Sequence, residues 1–281
     1  MAALPAALVV GLVWLPALTT VGLSFTNWDG FGSLGDARWV GLKNYVEVVT
    51  NYPPFAPALG HNLVWLATFF AAPTVLGVLL AVLLDRELRG GRLYQSAFFL
   101  PVVLSLALTG FIWQLIYSRD QGLLNAALGL HGARAVDWYG DPSVNLWAVL
   151  VAGGWRHAGY IMLLYLAGLK GVDPSLREAA ALDGASAAQA FWHVVFPAMR
   201  PTNVVVVVVT VVESLRAFDL VWVINHGRNG LELIGALVFS NVVGEGQRIP
   251  FGAALATIML VISLVFVVLY LPAILKEEGN T

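Results

Sequence analysis

Leu76-Gly77-Val78-Leu79-Leu80-Ala81-Val82-Leu83-Leu84 is apolar at every position and stops at Asp85-Arg86. A strand of a membrane β-barrel alternates apolar and polar residues over about 10 positions, whereas a bilayer-crossing helix needs about 20 mainly apolar residues. Followed back to His61, the stretch has the helical length and no alternation. Five more stretches have the same character, near 2–23, 94–117, 144–169, 202–224 and 251–275. The stretch 202–224 is rich in valine but carries three charges. The expected fold is all-α, a polytopic membrane bundle of about six transmembrane helices.

Composition agrees. Of 281 residues, 59% are hydrophobic and 11% charged, where an ordinary soluble domain has about 25% charged residues. So much apolar surface excludes an ordinary cytoplasmic enzyme or a disordered chain. A net charge of −2 gives no basic footprint for nucleic acid. The absence of cysteine removes disulfide scaffolds and thiolate chemistry.

Arg86, Arg89 and Arg92 crowd the loop at 85–92, and Lys170, Arg177 and Arg200 lie in the loop at 170–201. Lys276 lies in the tail. Arg38, Lys43, Arg119, Arg134, Arg228 and Arg248 are spread over about twice as much chain on the other side. The positive-inside bias therefore expects both termini in the cytoplasm. Met1 begins almost inside the first span with no basic n-region, so that span is expected to be an uncleaved anchor. No repeat or low-complexity linker divides the chain, which is expected to be one membrane domain over 1–281. The outer loop at 24–60 carries Trp28, Trp39 and Tyr45. These residues suit a short amphipathic helix held at the headgroups, or part of a platform for an outside partner.

The inner loop at 170–201 is the most punctuated segment. Asp173 can cap a helix that Pro174 begins, and the alanine-rich run through Leu182 propagates it. Gly184 can take the left-handed conformation that ends it. Ser186 and Gln189 form a capping box for a second helix, which Pro197 is expected to discourage from continuing. A mere connector would not need such signals.

Glu178-Ala179-Ala180, Gly184 and Pro197 stand at the spacing found in the cytoplasmic loop of membrane subunits of binding-protein-dependent ATP-binding-cassette importers. Val194 and Phe196 stand where that pattern has Ile and Leu. The chain resembles the six-span subunits of the carbohydrate-uptake branch over nearly its whole length. Further echoes are Ser24-Phe25-Thr26-Asn27-Trp28, Val40-Gly41-Leu42-Lys43-Asn44-Tyr45, Leu100-Pro101, Leu166-Ala167-Gly168-Leu169 and Phe218-Asp219. The first two of these suggest the partner type with an outer loop before span two. His226-Gly227-Arg228-Asn229-Gly230 departs from the family's usual Gly-Gly-Pro stretch.

The resemblance implies a permease subunit in the cytoplasmic membrane of a prokaryote. Its inner loop would couple to a separate ATPase through Glu178, Ala179, Ala180, Asp183, Gly184 and Pro197. It also implies a second homologous permease, two ATP-binding subunits that hold ATP and Mg, and an extracytoplasmic solute-binding protein. No Gly-x4-Gly-Lys-[Ser/Thr] phosphate loop occurs here, so hydrolysis by that chemistry belongs to another chain.

Ionisable groups within spans are costly and tend to face a bundle interior or a wet cavity. Glu213, Arg216 and Asp219 follow at i,i+3 steps, so on one helix Arg216 would touch both carboxylates. Arg156 is 14 residues from Lys170, and Arg216 is 14 from Thr202. Arg156 is thus expected at Arg216's depth and within reach of Glu213. These four, with Trp155, Tyr160 and Trp222 as stacking rings, are the candidate translocation path. A salt-bridged structural network and ordinary aromatic packing are the competing readings. An ion- or proton-coupled carrier would use the same carboxylates. The five histidines show no metal-ligand spacing, and no catalytic motif is present.

Overall fold

The computed structural model describes residues 3–86, 89–244 and 247–278, and these are helical with one isolated antiparallel bridge, Thr26 to Trp39. Met1 and Thr281, whose sidedness the charge count addresses, lie outside the described residues. The first helix, α1, spans Leu4–Leu23. Its apolar side chains are exposed along its length, so lipid or another subunit must cover them. Ser24 hydrogen-bonds Tyr45, and Asn44 Nδ2 donates to the carbonyls of Ser24 and Thr26. These bonds pin the C-terminal end of α1 to a short amphipathic helix, α2 (Lys43–Asn51).

α3 spans Phe55–Leu84, nearly two turns longer at its N-terminal end than the apolar run. Pro73 sits in its middle. A proline ring clashes with the preceding turn, and here a π-turn at Phe70–Thr74 opens the helix around it. α3 packs against α6 (Asn145–Gly171) so closely that a Cβ on Gly77 would stand 2.8 Å from the Ala158 carbonyl. Gly154 faces Pro73 in the same way, as the small pair Gly154 and Ala158 allows.

Two expected spans are broken. The stretch 94–117 forms α4 (Gly91–Val103) and α5 (Leu106–Tyr117), bent by 103°. Leu104 is extended, and the Ser105 hydroxyl accepts from Leu108 N, so a new N-cap begins α5 there. The stretch 202–224 forms α9 (Arg200–Leu215) and α10 (Asp219–Asn225), with Arg216–Phe218 between them. Beyond α10 the chain adds α11 (Ile234–Val242) before the last span, α12 (Ile249–Glu278). The loop at 170–201 supplies α7 (Pro174–Leu182) and α8, residues 187–198.

The second loop helix does not stop at Pro197. A π-turn at Phe191–Val195 widens the helix just ahead of the ring, and helix resumes from Phe196 to Ala198. The helix then ends at Ala198, one residue past the proline.

Candidate functional site

The break between α9 and α10 shapes the site. At the end of α9, the Ser214 and Leu215 carbonyls lose their helical partners. Asn62 Nδ2 donates to both, at 3.2 and 3.3 Å, while its Oδ1 accepts from Ile234 N at 3.0 Å. One fully buried amide thus ties the broken end of α9 to the start of α11. The residues freed by the break line a cavity of about 200 Å³ against α3 and α6.

Arg156, Glu213, Arg216 and Asp219 all line this cavity, with Trp65, Phe69 and Phe218 as its aromatic wall. Arg156 Nη1 stands 3.7 Å from Glu213 Oε2. The Nε of Arg156 and the indole nitrogen of Trp65 are buried and make no hydrogen bond among the described residues. The charged groups of Arg156, Glu213, Arg216 and Asp219 around the cavity can exchange hydrogen bonds with a ligand's hydroxyls. The expected contacts of Arg216 with both carboxylates do not form. The helix ends at Leu215, which breaks the i,i+3 register, and Arg216 is exposed.

His157 lies beside Arg156 and is buried. Its Nε2 is 3.2 Å from the Thr210 hydroxyl and 3.4 Å from that of Thr74. Three helices, α3, α6 and α9, therefore meet at one buried polar cluster next to the cavity. Spacing along the chain marks His157 only as a lone histidine. Thr74 and Thr210 are too common in helices to be marked without their neighbours.

The three candidate stacking rings separate. Trp155 lies on the opposite flank of α6, where with Trp113 and Trp147 it lines a largely apolar cavity of about 520 Å³. Tyr160 packs beside the apolar cluster of Ala81, Ile161 and Met162. Trp222 stacks on Phe218 with centroids 5.5 Å apart, and so stands one ring behind the cavity wall.

In the loop at 170–201, Asp173 accepts from Ser175 N at 2.9 Å and caps α7. That hydrogen bond holds its carboxyl below the usual carboxylate range. Gly184 has φ +79°, and Gly184 N and Ala185 N close the helix on the Ala181 and Ala180 carbonyls. Ser186 and Gln189 make the reciprocal capping box. Ala180 is buried, whereas Glu178, Ala179, Asp183, Gly184 and Pro197 are exposed. Leu182 is 89% exposed, a large apolar side chain left uncovered by the described residues.

The family described as "Binding-protein-dependent transport system inner membrane component" matches residues 42–276. A probable ABC transporter permease protein of Pyrococcus horikoshii is 32% identical over 273 residues, covering 95% of this chain and 92% of that one. The xylose/arabinose import permease protein XacH of Haloferax volcanii is 33% identical over 261 residues, covering 92% and 81%. A bacterial ABC transporter involved in import of the acidic polysaccharide alginate superposes with a TM-score of 0.82 at 18% identity, covering 98% of this chain and 93% of that one. The last is a likeness of fold.

Proposed function

Because the chain belongs to the family of inner membrane components of binding-protein-dependent transport systems, we propose that it is the permease subunit of an ATP-driven importer that carries a sugar across the cytoplasmic membrane, both termini inside. The observation that carries the reading is the capped, exposed α7 joined to a bundle with a polar cavity. Glu178, Ala179, Asp183 and Leu182 offer an ATPase a docking helix whose end is fixed by Gly184. A second homologous permease would complete the path. Two ATPase subunits holding ATP and Mg would sit beneath, and a solute-binding protein would deliver from outside.

The sugar assignment draws on two features. Relatives are named for xylose/arabinose and trehalose/maltose. The cavity pairs aromatic rings with charged donors and acceptors in balance, two arginines with two carboxylates. Rings suit the apolar face of a sugar and the polar groups its hydroxyls. Closure of the ATPase pair would move α7, reshape the bundle around the α9–α10 break, and change which side the cavity faces.

Proteoliposomes holding the assembled complex test this. ATP on the ATPase side, with binding protein and sugar on the other, should drive accumulation. Accumulation driven by an ion gradient without ATP would overturn the reading in favour of a carrier.

A further inference from the structure

We propose that Arg177 is a positioning residue that carries movement of α7 into the bundle through Asp85 at the inner end of α3. Arg177 precedes Glu178 on α7, yet its side chain turns away from the docking surface. Its Nη1 donates to Asp85 Oδ2 at 2.7 Å, and its Nη2 donates to the Leu169 carbonyl at 3.3 Å. The planar fork of a guanidinium suits it to hold two acceptors in one geometry. One side chain thus joins the docking helix to the ends of both α3 and α6.

Apolar packing onto this end of α3 comes from α8, where Val195 and Phe191 join the cluster of Ala81 and Leu169; α7 reaches α3 through the ion pair. A cavity of about 330 Å³ lies between the loop helices and the inner end of α3, bounded on the loop side by Ala181, Ala185, Ala187 and Ala190. Across that gap the ion pair is the polar contact the structure records between α7 and α3. Arg86 also faces the cavity, so Asp85 has a second cation nearby but is paired with Arg177.

α3 then leads to the site. Sixteen residues from Asp85, or about 24 Å of helix at 1.5 Å per residue, Phe69 and then Trp65 form the cavity wall. The π-turn at Phe70–Thr74 lies between, with Thr74 in the polar cluster with His157 and Thr210. Further out, Asn62 clasps the α9–α10 break. A displacement applied at Asp85 therefore bears on a jointed helix that holds both the wall and the break.

The inference rests on α7 being the ATPase-docking helix, and the test separates the two. In the reconstituted complex, Arg177→Gln should assemble and hydrolyse ATP but lose uptake by roughly ten- to a hundredfold, the usual range of coupling between linked sites. The sugar concentration giving half-maximal uptake should stay unchanged. Arg177→Lys should restore part of the uptake, and the exchange Arg177→Asp with Asp85→Arg should restore more than either change alone. Normal uptake in Arg177→Gln would overturn the inference, as would parallel loss of hydrolysis and uptake, or no gain from the exchange. If Gly184→Pro also retains normal uptake, it is the docking reading itself that fails.

Discussion

Arg156 Nη1 and Glu213 Oε2 face each other across α6 and α9 at 3.7 Å, close enough for charge attraction but too long for a hydrogen bond. A pair built only to lock two helices would close to hydrogen-bond length. This pair is looser, and both side chains line the cavity, where a ligand's hydroxyls can reach them. Glu213→Gln removes the charge and keeps the size. A hydrogen bond to a charged group contributes about 1.5–3 kcal/mol. Uptake and solute-stimulated ATP hydrolysis should therefore fall roughly ten- to a hundredfold. Unchanged values for both would remove Glu213 from the path.

Asn62→Ala should destabilise the chain by about 2–4 kcal/mol, because it strands two buried carbonyls and one buried amide together. Asn62→Asp keeps the acceptor for Ile234 N but loses both donated bonds, so it should fail as well. Thermal unfolding of the purified protein in detergent reads this directly. A midpoint within about a degree of the parent for Asn62→Ala would show that the clasp carries little.

The apolar spans and the inner loop are legible in the sequence because both rest on local rules. Length and apolar continuity mark a span, and Asp173, Gly184 and the Ser186–Gln189 pair each act within four residues. The breaks are harder to read. Spacing puts Arg216 and Asp219 on one helix because it assumes a continuous register, and the residue that holds the broken end, Asn62, lies on another helix. Likewise the bend at Leu104–Ser105 depends on one serine cap inside an apolar run. The short helix α11 follows glycines and polar residues that read as loop. Arg156 meets Glu213 as depth counting expects, since Arg156 lies on the unbroken α6 and Glu213 precedes the break. Trp155 and Tyr160, on the same helix, show the limit of depth alone: it gives height but not which flank faces the cavity.

Substitutions at Gly184 should grade by backbone alone, because no atom lies within 4 Å of a Cβ built there. Gly184→Ala meets only the left-handed penalty, roughly 1–2 kcal/mol for an L-residue, and should weaken coupling modestly. Gly184→Pro cannot adopt φ +79° and also deletes the N–H that bonds the Ala181 carbonyl. It should insert and assemble yet abolish ATP-driven uptake, as followed by protease accessibility and transport in parallel. Equal uptake by the parent and the proline variant would refute the coupling role of this turn.

Asp173 gives α7 a pH-dependent start. The Ser175 N–H holds its carboxyl below the ordinary carboxylate value, so the folded pKa is depressed relative to the unfolded chain. The cap's contribution is therefore present above the unfolded carboxylate pKa and is lost as pH falls through the lower folded value. At neutral pH the cap is fully formed, and acidification below the carboxylate range should loosen the first turn of α7. Asp173→Asn keeps a capping oxygen that does not titrate in this range. Amide exchange at Ser175 and Leu176, corrected for the intrinsic rate at each pH, should show protection falling on acidification in the parent and staying level in the asparagine variant. The same acidic shift in both proteins would assign the loosening to another group.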